Sequence, residues 1–220
     1  DLAPSLVARF LSSLGHMKIA YISPFHGTQW SKLRLETLTR MLGDREPDCG
    51  VIPCTIDDAS SPIDFLPAAR QRCDLGPLTS FYEGLRSTQK VSFLEPVNPV
   101  KFIDTLRIVL ANCEVSLRSN ELFDRALSIP GITAWVCAND YVAIMAKGFL
   151  DRRKVEIPEQ LSILGFDDTR QAMKQGITSY NFNFQGVITQ VVDHIVRKTG
   201  NTANKPMTIE VEGFLSQRHS

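Results

Sequence analysis

The sequence predicts an α/β fold with a mainly parallel sheet, and three observations lead to that prediction. Helix-like and strand-like hydrophobic patterns alternate along the chain, most clearly after residue 131. The segments between the later strands are long enough for crossover helices, which return a chain to a parallel neighbour. The 220 residues are 43% hydrophobic and 22% charged, as in an ordinary globular domain that buries a core.

The first fifty-odd positions predict two helices and two strands. Apolar residues at helical spacing stop just before Gly15, a residue type that commonly closes helices. The apolar run 18–24, closed by a proline, predicts a strand. A second helix is expected over 31–42, with Ser31 as its candidate N-cap, and a weaker strand over 50–56.

The middle of the chain is less regular. Pro53 confines the strand 50–56 to an edge of the sheet, or ends it. From 57 to about 96 the apolar residues are scattered between prolines and glycines, which predicts short helices and loops. Two helices are expected next, over about 99–116 and about 120–127.

The carboxyl-terminal part shows the clearest alternation. Its predicted elements, in order, are a strand at 132–137, a helix at 140–153, a strand at 161–166, an extended stretch at 178–183, a helix at 187–197 and a strand at 207–215. Together the elements predict a sheet of about five or six strands with helices on both faces.

Charge and composition exclude several classes of protein. Lys plus Arg and Asp plus Glu both number 24, and this balance argues against a free-standing nucleic-acid binder. No apolar run is long enough to cross a membrane, and the first residues do not resemble a secretory signal. The five cysteines are irregularly spaced, so we expect a reduced, cytoplasmic protein without a metal site or a cofactor.

Position in the predicted sheet points to a ligand site. Asn139 and Asp167 each follow a buried strand, and ligands of open parallel sheets bind outside the carboxyl ends of the strands. Arg34, in the helix after the first strand, is expected at the same edge, where its guanidinium can hold two oxygens. A purely structural alternative is that Asp140 and Asp168 cap helices while Asn139 and Asp167 satisfy loop backbone.

Five short segments resemble the LacI/GalR family of sugar-sensing regulators. Their sequences are LGHMKIAYI at 14–22, LRLE at 33–36, AWVCANDYVA at 134–143, IPEQLSILGFDD at 157–168 and the terminal RHS at 218–220. All five occur in the order in which the family has them. The resemblance covers about 1–45 and 128–220.

The resemblance implies a bacterial transcription regulator whose effector domain has a periplasmic-binding-protein-like (type I) fold. Such a lobe is a Rossmann-like parallel sheet with helices on both faces. The family's ligand positions fall on Arg34, Asn139 and Asp167, the residues that the position in the sheet also selects. Phe182 stands where the family has a hydrogen-bonding glutamine, and its ring could stack on a sugar or a base, or mark a lost site.

The resemblance also implies how the chain is divided. Residues 1–220 correspond mostly to the carboxyl lobe, with an irregular insertion at about 57–115. The DNA-binding domain, of either the LacI or the GntR type, is expected outside this chain. The helix 187–197 belongs by resemblance to the other lobe, so we expect its apolar stripe to fold back onto this lobe or to pair with another chain.

The expected function is therefore effector sensing and dimerisation, with a small polar metabolite such as a sugar as ligand and no chemical step. Three alternatives stay open at this point. One is a sugar-binding protein of a transport system, which shares the lobe architecture. Another is a dimerisation fragment with a decayed site. A third, an enzyme using Asp57-Asp58 or Asp167-Asp168, lacks a visible nucleophile and base.

Overall fold

The structure is a computed structural model, and it describes residues 2–43, 49–56, 115–197 and 208–220. The insertion expected at about 57–115 and most of the helix expected at about 99–116 lie outside the described residues. No helix among the described residues is long and apolar enough to cross a membrane.

A six-stranded sheet forms the centre of the molecule, in the order β2-β1-β3-β4-β5-β6. The strands are β1 (Lys18–Ser23), β2 (Gly50–Thr55), β3 (Ala134–Cys137), β4 (Ser162–Phe166), β5 (Thr178–Asn181) and β6 (Phe214–Ser216). The first five run parallel, and β6 pairs antiparallel with β5. The predicted α/β class and mainly parallel sheet are confirmed.

Helices cover both faces of this sheet. They are α1 (Leu2–Ser13), α2 (Gln29–Leu42), α3 (described over 115–128), α4 (Asp140–Arg152), α5 (Arg170–Lys174) and α6 (Phe184–Arg197). Gly15 ends α1 with a positive φ of 84°, and the amides of Gly15 and His16 return to the carbonyls of Ser12 and Leu11. This is the glycine-closed helix end that the sequence predicts.

Alternate residues of the strands build two separate layers of the core. In β3, Trp135 and Cys137 face the layer under α3 and α4, whereas Ala134 and Val136 face the layer under α1 and α2. Burial on both faces explains why the central strands read as continuous apolar runs.

Two helix predictions are corrected by the structure. Ser31 is not the N-cap of α2: the helix begins at Gln29 after Thr28, and Ser31 is a fully buried residue of its first turn. The break expected between 116 and 120 is absent, since 115–128 is one continuous helix in which Ser119 is buried. A polar serine interrupts the apolar pattern of a helix, and that pattern does not reveal that Ser119 is buried in the packing.

The edges of the sheet show one prediction confirmed and one corrected. Strand β2 lies at an edge, as Pro53 requires, because proline donates no ladder hydrogen bond. The last strand is much shorter than the predicted 207–215: β6 has three residues, and the stretch 208–213 is not in the sheet. The short helix α5 was not predicted.

Helix α6 leaves the compact part of the molecule. Its apolar residues remain exposed, for example Val191 at 52% and Ile195 at 63%. One side of the helix and Ile209 and Val211 line a groove of about 300 Å³. The stripe therefore does not fold back onto the sheet, and its pairing with another chain stays a prediction.

Candidate functional site

Arg34 lies at the carboxyl edge of the sheet, surrounded by aromatic rings. Its guanidinium carbon is 4.1 Å from the centre of the Phe166 ring, 4.7 Å from that of Trp30 and 5.5 Å from that of Phe182. One of its terminal nitrogens donates a hydrogen bond to the carbonyl of Ala138, at the end of β3. Rings on its sides and a carbonyl at one end fix the guanidinium, so its remaining N–H groups have a defined direction.

Asp167 follows β4 at the same edge and carries the opposite charge. Burial raises the pKa of its carboxyl group to about 6, the Arg34 guanidinium opposes this rise, and the charge of Asp140 adds to it. Burial also lowers the pKa of Arg34, while Asp167 favours its charged form. Neighbouring groups thus desolvate the carboxyl group, although the residue as a whole keeps an exposed surface that a ligand could contact.

The side-chain oxygen of Asn139 makes a hydrogen bond within the protein. Its Oδ1 accepts a hydrogen bond of 3.0 Å from the backbone N–H of Val142 and so caps α4. The residue is half-buried, next to the Ala138 carbonyl that holds Arg34. An asparagine side chain keeps two amide donors when its oxygen is used, so a role in capping leaves Asn139 able to donate to a ligand.

Phe182 connects the site to the start of α6. Its ring centre is 5.0 Å from that of Tyr180, 6.1 Å from that of Phe184 and 6.5 Å from that of Phe166. The residue is half-buried, so one part of the ring contacts protein and another is open. An aromatic face beside a guanidinium offers an apolar surface to a ligand that also has hydroxyl groups.

Asp140 is a buried carboxylate that fixes the neighbouring loops. Its Oδ2 accepts a hydrogen bond of 2.6 Å from the N–H of Thr169, and its Oδ1 one of 2.5 Å from the hydroxyl of Ser179. Burial raises the pKa of Asp140, and these hydrogen bonds oppose the rise. Asp140 does not cap α4, and the N-cap of α5 is Thr169, so the capping alternative assigned the wrong residues.

A cluster of hydroxyl groups lies beneath the first strand end. The Ser31 hydroxyl is within 3.0 Å of Tyr21 Oη, Ser23 Oγ and His26 Nδ1. Burial raises the pKa of Tyr21 to about 12, so its phenol stays protonated and able to donate. Both Tyr21 and Ser31 are fully buried, so this cluster supports the loop after β1 rather than contacting a ligand.

Within the described parts of the chain, no group of three or more His, Cys, Asp or Glu is placed to hold a metal ion. Cys49, Cys54 and Cys137 are free thiols. Burial raises the pKa of the thiols of Cys54 and Cys137, which makes them unreactive core residues at neutral pH.

The structure places Arg34, Asp167 and Phe182 together, with Asn139 beside the carbonyl that Arg34 contacts. Sequence reasoning missed Trp30 and Phe166, the rings nearest the guanidinium. Trp30 could have been found, since it precedes Arg34 by four residues and so lies on the same helix face. Phe166 gave no separate signal, because it reads as an ordinary strand residue.

The described residues form an α/β lobe whose candidate site residues lie at the carboxyl edge of the sheet, the edge at which open parallel sheets bind ligands. A family model described as periplasmic binding protein-like domain matches residues 102–220. The chain belongs to this family. No protein with a curated description matches the sequence.

Solved structures with the same fold include LacI-family regulators. A LacI-family regulatory protein from Corynebacterium glutamicum has a TM-score of 0.58 and 16% identity over 99% of this chain. The transcriptional repressor ascG of Escherichia coli gives 0.59 and 17% over 99%. A periplasmic binding protein/LacI regulator from Alkaliphilus metalliredigens, complexed with D-xylulofuranose, gives 0.54 and 14% over 99%. This chain spans 62%, 60% and 62% of those three chains, respectively.

Proposed function

We propose that this chain is the effector-sensing part of a bacterial transcription regulator and that it binds a sugar or a related polar metabolite. The observation that carries the proposal is that Arg34, beside aromatic rings at the carboxyl edge of the sheet, interacts electrostatically with the oppositely charged Asp167. Donor and acceptor groups that converge beside apolar rings are typical of small-molecule sites. The fold shared with LacI-family regulators supports the same function.

The four site residues take complementary roles in this proposal. Arg34 donates to two oxygens of the ligand through its fork of N–H groups, and Asn139 donates through its amide nitrogen. Asp167 accepts hydrogen bonds from ligand hydroxyl groups. Phe182 contacts the apolar face of the ring, as aromatic residues do in carbohydrate sites.

The charges at this edge favour an uncharged ligand over a phosphorylated one. Arg34 is balanced by Asp167, and the buried Asp140 adds another negative group. Asp168 is paired with Arg218, so neither contributes a free charge. A phosphate group would need a cation in excess, and the described side chains at this edge supply none.

Regulation follows from differential binding. The ligand binds one arrangement of the effector domain better than another and so shifts the population toward it. That shift changes the spacing of the DNA-binding domains, which lie outside this chain, in a homodimer. We place the regulator in the cytoplasm, where bacterial DNA lies.

A thermal-shift screen of the full-length protein tests the proposal, with D-xylulose, D-xylose, D-ribose, D-galactose, fructose 1-phosphate and hypoxanthine as ligands. We expect one neutral sugar at about 100 times its Kd to raise Tm by about 5 °C or more. Asp167→Asn should weaken that binding about 10- to 100-fold, since a charged hydrogen bond is lost. Asp151→Asn, an exposed carboxylate in the last turn of α4, is the matched control and should bind normally.

The screen separates this proposal from its rivals. Binding of fructose 1-phosphate alone would contradict the uncharged ligand, and stabilisation by hypoxanthine alone would contradict the sugar. If no compound raises Tm, the sensing function is wrong and a dimerisation fragment with a decayed site takes its place.

A sugar-binding protein of a transport system is the second candidate. The description of the Alkaliphilus metalliredigens structure joins both classes, periplasmic binding protein and LacI transcriptional regulator. Gel-shift assays of the full-length protein with DNA from its own promoter region decide between them. Sugar-sensitive DNA binding supports the regulator, and sugar binding without DNA binding supports the transport protein.

A further inference from the structure

The turn that presents Asp167 has an unusual backbone. Asp167 has a φ of 102° and Asp168 a φ of 49°, both in the left-handed region that residues with side chains seldom adopt. Two consecutive residues in this region persist only when surrounding contacts hold them there. The position of the Asp167 carboxyl group therefore depends on whatever fixes this turn.

Hydrogen bonds to its backbone hold the turn on one side. The N–H of Asp167 donates to the carbonyl of Tyr180 at 2.9 Å, and the N–H of Asp168 donates to the Ser179 hydroxyl at 3.0 Å. Both acceptors belong to β5. They fix the path of the turn relative to the sheet, but they leave the side chain of Asp168 to be placed by other groups.

The carboxylate of Asp168 holds the turn on the other side. It accepts hydrogen bonds from Arg218 at 2.5 Å, from Ser216 at 2.7 Å and from Asn181 at 2.8 Å. Burial opposes ionisation of this group, but the three hydrogen bonds and the charge of Arg218 outweigh burial and lower its pKa. Asp168 is consequently ionised and fully engaged at neutral pH.

Arg218 joins this carboxylate to the sheet. A second guanidinium nitrogen donates to the carbonyl of Ile177 at 2.7 Å, and its backbone N–H donates to the hydroxyl of Thr178 at 3.1 Å. The side chains of Arg218 and Asp168 are only 17% and 10% exposed, so the ion pair is shielded from solvent. A planar fork can serve two acceptors in fixed directions, which an ammonium group cannot do as well.

We propose that Arg218 is a positioning residue for the effector site, acting through Asp168 to fix the turn that presents Asp167. Arg218 does not touch the ligand. Its fork connects the start of β5 with the turn after β4, so the direction of the Asp167 carboxyl group depends on an ion pair whose two residues are fifty positions apart in the chain. The inference rests on the proposed function, because it assigns Asp167 to ligand binding.

Ser220 provides a matched control within the same terminal segment. Its hydroxyl donates to the carbonyl of Ile163 at 2.8 Å and accepts from the N–H of Thr178 at 2.7 Å. Ser220→Ala thus loosens the terminal segment without touching Asp168. An effect that both variants show comes from weaker anchoring of the chain end. An effect that only Arg218→Gln shows comes from the lost contact with Asp168.

The first test needs no ligand. Amide hydrogen exchange of the full-length protein is followed by NMR in the wild type, Arg218→Gln and Ser220→Ala. We expect exchange at Asp168 and Thr169 to speed up at least ~10-fold in Arg218→Gln and to stay within ~2-fold in Ser220→Ala, with β3 amides unchanged in both. If Arg218→Gln does not fold, Arg218→Lys replaces it, since it keeps the charge but lacks the fork.

Unchanged exchange at the turn in the Arg218 variant overturns the proposal, and so does an equal increase in Ser220→Ala. The second test is calorimetric titration with D-xylulose and the other sugars of the screen. Affinity should fall about 10-fold in Arg218→Gln and less than ~2-fold in Ser220→Ala. Unchanged affinity in Arg218→Gln also overturns the proposal. If the turn loses protection but no sugar binds the wild type, the positioning of the turn is correct and the proposed function fails.

Discussion

Helices α4 and α6 have similar lengths and both carry an apolar stripe, but only the stripe of α4 is covered. The covered stripe of α4 consists of the buried residues Val142, Ala143, Ala146, Phe149 and Leu150. The stripe of α6 is exposed, namely Val187, Ile188, Val191, Val192, Ile195 and Val196, with exposed fractions of 39–63%. A helical pattern thus shows that a face needs a cover and does not show where the cover comes from.

The difference lies in what each helix follows. Helix α4 follows a central strand and returns directly onto the sheet, where Gly165 lets it approach closely. Helix α6 follows β5, next to the last strand of the sheet, and extends beyond it. Four predictions test this comparison, beginning with the largest expected effect.

Phe149→Ala in α4 should strongly destabilise the chain. The Phe149 ring is 1% exposed and lies 5.2 Å from the ring of Phe123 and 6.3 Å from that of Trp135. Its removal leaves a cavity, and we expect the free energy of unfolding to fall by about 3–5 kcal/mol in urea titrations. Phe184→Ala in α6, at a residue 64% exposed, should cost less than about 1 kcal/mol. Equal losses would contradict the comparison.

Gly165→Ala should separate α4 from β4. A Cβ atom at Gly165 would collide with Asp140 Oδ1 and lie 3.3 Å from the Cβ of Ala143. We expect the free energy of unfolding to fall by about 1–3 kcal/mol, as for other overpacked sites. Gly148→Ala within α4 is the control, because its new Cβ meets only Arg152, at 3.8 Å, and should stabilise the helix by about 0.5–1 kcal/mol.

Val191→Glu combined with Ile195→Glu should leave the folded chain almost unchanged. Both residues are more than half exposed, so the free energy of unfolding of the monomer should change by less than about 0.5 kcal/mol per site. The proposed association through α6 should be lost, which sedimentation velocity measures as a lower mass. Thr189→Glu, also exposed, should still associate. An unchanged mass for the double variant would exclude the stripe as the interface.

The smallest expected effect concerns pH and Asp167. Burial raises its pKa to about 6 in the folded chain, whereas an unfolded aspartate titrates near ~3.9. The folded chain therefore binds more protons in this interval, and its free energy of unfolding falls as pH rises from about 4 to about 6. Because the residue as a whole keeps an exposed surface, solvent screens this contribution, and we expect less than ~1 kcal/mol.

Asp167→Asn should remove this part of the pH dependence. Urea titrations at pH 4 and pH 7 measure the free energy of unfolding of both proteins. The value of the variant minus that of the wild type should be larger at pH 7 than at pH 4. The same difference at both pH values would show that the Asp167 carboxyl group titrates normally.

Much of the fold was predictable because buried parallel strands and their crossover helices leave strong local patterns. The strands β1, β3 and β4 begin and end within two residues of the predicted positions. The errors concern residues whose surroundings come from elsewhere in the chain. The sequence pattern predicts Ser31 as an N-cap. In the structure its hydroxyl instead forms hydrogen bonds with Tyr21 and Ser23 of the preceding strand, inside the core.

The candidate site likewise contains residues that the sequence predicted and contacts that it did not. Arg34, Asn139 and Asp167 follow from the rule for strand ends and from the resemblance, and their role as ligand contacts stays a prediction. The pair of Asp168 and Arg218 left no local signal, because the two residues meet only when β6 folds back against β5. The sequence pattern thus predicts where the strands end. The contacts that fix the side chains at those ends form between residues far apart in the chain, so the pattern does not predict them.

The packing of Arg34 also has an optical consequence. The chain has two tryptophans: Trp135 is fully buried and stacked on Phe123, while the half-buried Trp30 lies 4.7 Å from the guanidinium. A ligand that draws Arg34 toward itself alters the polarity around the Trp30 indole and leaves Trp135 undisturbed. We therefore expect the intrinsic fluorescence of the protein to contain both an indicator beside the proposed site and an internal reference, so that binding of the proposed ligand can be followed without an added dye.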